Sequence, residues 1–197
     1  ASLDAGSPGG SWTINHALGQ NGTLTGYSDD ANDNHLFLDG PRDGTPFDYD
    51  LTFDSAIPLG PGASLTMDVA LRRAGNTAES SQRDSVIVAS DADGDVLFQL
   101  YGKGWEPDSK TVGLIGHGLS SEKINFVNPS STASTTDMMT VEMLLGSSSF
   151  DVLVGGNTAF TGISYDNAVT DLSALKFTAQ GSTADFAGLT VDNVMVT

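Results

Sequence analysis

The chain has 197 residues and no cysteine, so it is long enough to bury its own core and must do so without disulfides, Cys-ligated metal or a thiol nucleophile. Twenty-five acidic against eight basic residues leave a net charge of −17, which argues against nucleic acid or an anionic membrane as partner. No apolar run reaches the roughly 18 residues of a membrane-spanning helix, and no charged-then-apolar leader opens the chain, so a soluble mature form or an excised module without membrane insertion is expected.

Of the 25 acids, 21 are Asp, which favours turns over helix interiors; with 23 Gly and abundant Ser and Thr, this predicts short strands joined by turns. In chain order, Trp12, Ile14, His16 and Leu18 share one face of a first candidate strand, and Leu24 and Leu36–Leu38 mark two more. The cleanest alternation follows: Phe47, Tyr49, Leu51 and Phe53 against Asp48, Asp50, Thr52 and Asp54. Leu65, Met67, Val69 and Leu71 repeat it before Arg72. Asp93-Gly94 separates Ser85–Ala89 from Val96–Leu100 as a hairpin, and Gly155-Gly156-Asn157 turns the chain after Phe150–Val154. Val141, Met143 and Leu145 form one face of a strand before that second turn. Residues Leu172 to Phe177 and Leu189 to Val196 supply the last two strands. The final one breaks phase, because Leu189 and Val191 differ in parity from Val194 and Val196. A bulge at Asp192-Asn193 would restore one buried face. The whole reads as roughly ten to twelve strands in a two-sheet sandwich, one domain over residues 1–197, with loops at Ala74 to Arg83 and Pro129 to Asp137.

The segments from Ser90 to Phe98, from Phe150 to Gly156 and from Leu189 to Val196 resemble successive strands of concanavalin A-like, laminin-G-like jelly-roll domains of bacterial extracellular proteins. The resemblance implies an all-β, antiparallel two-sheet jelly-roll sandwich, often a carbohydrate-binding module and often with structural calcium. The same fold carries hydrolases and lyases, so fold alone does not choose.

Retaining glycosidases need paired carboxylates flanking the scissile bond, and no Glu here has another Glu two to five residues away. Glu142 is followed by Leu144 and Gly146 and reads as a solvent-facing strand residue. The Arg-x-Glu-x-Arg and Gln-x-His strands of jelly-roll alginate lyases are missing, as is a Gly-x-Ser-x-Gly elbow, so no catalytic residue is assigned. Calcium wants six to eight hard oxygens. Asp91 to Asp95 starts like an EF-hand loop, but its Gly comes two positions early, Gly102 stands where the closing Glu belongs, and a hairpin turn is the better reading. The resemblance singles out Asp192 on the last strand as a calcium ligand, with Asp4 or Asp39 to complete the site.

Sugar binding needs an aromatic face against the pyranose ring and a few polar groups for its hydroxyls. Trp105, in a glycine-flanked loop, reads either as the platform or as a cap on one end of the core; Tyr101 and Tyr165 are weaker partners, core or rim, and Arg72 is either a hydroxyl donor or a solvated strand end. The expected function is a secreted or cell-surface, non-catalytic carbohydrate-binding or adhesion module for a polysaccharide, stabilised by calcium. The alternatives are a jelly-roll polysaccharide lyase or glycoside hydrolase with dispersed catalytic residues, and a structural cell-surface domain.

Overall fold

The computed structural model describes residues 10–14, 24–30, 33–39, 47–72, 85–103, 111–116, 124–127, 139–165, 168–179 and 188–197. Among these no residue is helical, and fourteen strands form two sheets, all paired antiparallel. The first sheet has the order β1 (Gly10–Ile14), β4 (Phe47–Pro58), β13 (Asp171–Ala179), β6 (Ser85–Ser90), β7 (Val96–Lys103), β8 (Thr111–Gly116) and β9 (Ile124–Val127). The second runs β12 (Asn157–Ser164), β11 (Ser149–Val154), β10 (Met139–Leu145), β5 (Ser64–Arg72), β14 (Gly188–Val196), β3 (Asp33–Asp39) and β2 (Leu24–Asp30). The loops expected at residues 74–83 and 129–137 lie outside the described residues.

The period-two pattern of each strand sends one side chain in two into the space between the sheets. Tyr49, Leu51 and Phe53 from β4 and Leu175 and Phe177 from β13 meet Leu65, Met67 and Val69 from β5 and Val141 and Met143 from β10 in one buried cluster. Phe98 of the first sheet faces Phe150 of the second, with ring centroids 5.5 Å apart.

Local chemistry sets the turns. Both expected hairpins form, β6 with β7 and β11 with β12. Gly155 and Gly156 both have positive φ, 56° and 77°, which a two-residue hairpin turn needs and which side chains resist. In the Asp91–Asp95 turn the buried Asp91 carboxylate accepts the backbone N–H groups of Asp93 at 3.0 Å and Asp95 at 2.8 Å. That carboxylate replaces lost strand pairing, which accounts for an acid at this turn without a metal.

The expected bulge is present in the last strand: the β14–β5 register shifts between Asp192 and Met195, and Asn193 has a φ of 49°. The extra residue lets Leu189, Val191, Val194 and Val196 all reach the core while Met195 turns outward. The Asn193 Nδ2 donates to Asp68 Oδ2 at 2.8 Å, and its own N–H to Asp192 Oδ1 at 2.7 Å.

Candidate functional site

The face of the first sheet turned away from the core carries an ordered set of hydrogen-bonding side chains. On β4, Asp48, Asp50 and Thr52 alternate with the core residues; on β13, Ala174, Lys176 and Thr178 do the same. The register puts Lys176 between Asp50 and Val88, with Gln99 beyond Val88; it puts Thr178 between Asp48 and Val86, with Tyr101 beyond Val86. Two neighbouring rows therefore cross four strands: Asp50, Lys176, Val88, Gln99 and Asp48, Thr178, Val86, Tyr101.

Asp48 locks the corner between these rows. Its Oδ2 lies 2.9 Å from Lys176 Nζ, and its Oδ1 accepts the Thr178 hydroxyl at 2.7 Å. The Lys176 side chain is 46% exposed, so this pair adds no more than about 1 kcal/mol to stability. Its effect is positional: an ammonium with three donors is held over the sheet, and Asp48 engages one. Carboxylate, ammonium and hydroxyl groups thus stand side by side on strands about 4.8 Å apart, and the Gln99 carboxamide lies two strands from Lys176, across Val88.

The residues singled out by sequence are distributed differently. Tyr101 lies on this face but is only 2% exposed, and neither it nor its neighbour Val86 belongs to the inter-sheet cluster. Its ring is thus buried outside the core rather than presented to solvent. Tyr165 follows β12 and stacks on Phe150, 5.4 Å between centroids, on the other side of the sandwich. Its Oη is buried with no hydrogen-bond partner among the described residues, and burial pushes the phenol pKa well above its ordinary value. Trp105 lies outside the described residues. Arg72 ends β5 opposite Gly188, and Asp39 ends β3 opposite the same Gly188, so register puts Arg72 and Asp39 in one row, on either side of β14. Their side chains are not described.

That register also separates Asp39 from Asp192, by four residues along β14 or about 13 Å at strand rise. Asp192 instead stands opposite Asp68, whose two oxygens accept Thr140 Oγ1 at 2.5 Å and Asn193 Nδ2 at 2.8 Å. Asp4 lies outside the described residues. Among the described residues no three His, Asp or Glu side chains converge as a metal site.

Sequence reasoning placed Asp48 and Asp50 on a polar strand face but missed Lys176 and Gln99. The signal for Lys176 was its outward parity between Leu175 and Phe177; what it stands beside depends on register with a strand far away in sequence.

No family model and no curated protein sequence matches the chain. Solved structures do. A sialidase matches with a TM-score of 0.62 at 13% identity over 94% of this chain, which spans 17% of the sialidase chain. The cellulose induced protein Cip1 gives 0.57 at 16% identity, covering 94% of this chain and 90% of the other. The marine PL7 alginate lyase AlyA1 from Zobellia galactanivorans gives 0.57 at 12% identity, covering 94% of both. The chain has the concanavalin A-like jelly-roll fold. At such identities the likeness establishes the architecture, and the chemistry must be argued from the side chains.

Proposed function

We propose that the chain is a secreted or cell-surface, non-catalytic polysaccharide-binding or adhesion module that uses the outer face of the first sheet. The observation that carries this reading is the Lys176–Asp48–Thr178 corner beside Asp50, with Gln99 two strands away across Val88. Sugar hydroxyls both donate and accept, and a surface offering both kinds of group in fixed positions binds them with little further ordering cost. The names of two structural neighbours, a sialidase and an alginate lyase, support a glycan as the ligand class.

The test is retention on a panel of insoluble polysaccharides. Wild type is expected to bind at least one, with Lys176→Ala weakening it about tenfold, the effect of losing a hydrogen bond to a charged group. Trp105→Ala reports whether that indole adds a stacking platform. Unchanged retention in Lys176→Ala would move the site off this face, and release of unsaturated uronides or new reducing ends would favour the lyase or hydrolase alternative.

Calcium stabilisation belongs to the same proposal, with Asp192 and Asp4 as its ligands. An ion at about a hundred times its Kd adds about 2.7 kcal/mol by linkage, so EDTA should lower Tm by roughly 5–10 °C. An unchanged melt would remove calcium from the account.

A further inference from the structure

A groove of about 520 Å³ lies on the other side of the molecule, on the outer face of the second sheet. The row Asp151, Leu144 and Ser64 crosses it, and Glu142 enters it from the neighbouring row. The β4–β5 turn of Gly60, Pro61, Gly62 and Ala63 walls one side. It is stitched to the sheet by Gly60 N–H to Leu145 O at 3.0 Å and Leu145 N–H to Ala63 O at 2.8 Å, so the wall is part of the scaffold. Leu144 lies in the groove, 41% exposed, one of two large apolar side chains so exposed among the described residues.

Polar groups converge on that apolar patch. Asp151 is oriented by the Gly162 N–H, 2.7 Å from its Oδ1. Among the described residues no cation pairs with Glu142 or Asp151. Carboxylate oxygens accept hydrogen bonds, so the complementary ligand is rich in donors. Leu144 and Pro61 favour the C–H face of a ring within the same ligand. An anion is repelled here, both locally and by the net charge of −17.

We propose that this groove is a second saccharide site, separate from the face of the first sheet, that takes neutral pyranose units, prefers protonated amino sugars and rejects uronates. Glu142 and Asp151 accept the hydroxyl or ammonium donors, and Leu144 packs against the ring.

The test titrates the protein with β-1,4-linked tetramers of glucosamine, glucose and mannuronate, followed by calorimetry and amide chemical shifts. The glucosamine tetramer should bind about fivefold tighter than the glucose tetramer, the advantage shrinking with salt, and the mannuronate tetramer should not perturb the groove. Glu142→Gln should abolish the amino-sugar preference, and Leu144→Ser should weaken both ligands about tenfold. Both changes fall on a solvent-facing surface, and an unaltered melt verifies the fold. Binding unchanged in both variants, groove shifts with mannuronate, or no groove shifts with any tetramer would overturn the proposal. Lys176→Ala separates it from the first-sheet reading: groove binding should be unchanged by that substitution, whereas retention through the first sheet should weaken about tenfold.

Discussion

Phe150→Ala is expected to lower Tm by roughly 10 °C or more. Phe150 is 1% exposed and joins the layers: its ring meets Phe98 of the opposite sheet at 5.5 Å and Tyr165 at 5.4 Å. Truncating a buried Phe costs about 3–5 kcal/mol, partly as lost transfer energy and partly as the cavity left behind. Each aromatic pair adds about 0.5–1.5 kcal/mol beyond burial. The void would be lined by the rings of Phe98 and Tyr165. At about 2–4 °C per kcal/mol for a chain of this size, the loss is large in a thermal melt. Leu153→Ala, on the outer face of the same strand, is the control and should shift Tm by much less. A fall in Phe150→Ala of under about 3 °C would mean the layers collapse to fill the space.

The second large effect belongs to the bulge. Asn193→Val places a β-branched residue at a φ of 49°, a left-handed conformation that costs about 1–2 kcal/mol for a side chain with a Cβ and more for a branched one. It also removes the Nδ2 bond to Asp68, worth about 1 kcal/mol net. A total near 2–3 kcal/mol should appear as a lower urea midpoint at unchanged slope. Asn193→Gly loses the hydrogen bond but meets no steric penalty, so it should cost about 1 kcal/mol. Equal costs for the two would show that backbone conformation is not what selects Asn here.

Much of the fold was legible because it depends on near neighbours. The alternation around Tyr49 and Leu51, the hairpin glycines and the phase break at Asp192-Asn193 each carry their own local instruction, and each forms as read. Strands β8 and β9 were not read, since Thr111–Gly116 and Ile124–Val127 have short or weak alternation. Strand β12, Asn157–Ser164, hides its register behind shifts against Phe150 and Val152. The candidate surfaces were less legible for a different reason. Lys176 meets Asp48, and Leu144 meets Asp151 and Ser64, only through strand register, and sequence alone does not say which strands lie side by side. Glu142 and Asp151 stand in neighbouring rows on adjacent strands, a relation that spacing between acids along the chain does not reveal. Tyr101 shows the converse: alternation gives the face of a strand but not what covers it.

The strand order also governs when the molecule can assemble. In both sheets a central pairing joins an early segment to one of the last two strands, Tyr49 with Phe177 and Val69 with Val191. Closing such distant contacts requires a large loss of chain entropy before they stabilise anything, and topologies of this kind fold in milliseconds to seconds. A nascent chain leaving the ribosome exposes the apolar edges of β4 and β5 until the C-terminal strands emerge. During synthesis those waiting edges are the places where a chaperone would bind or aggregation would begin.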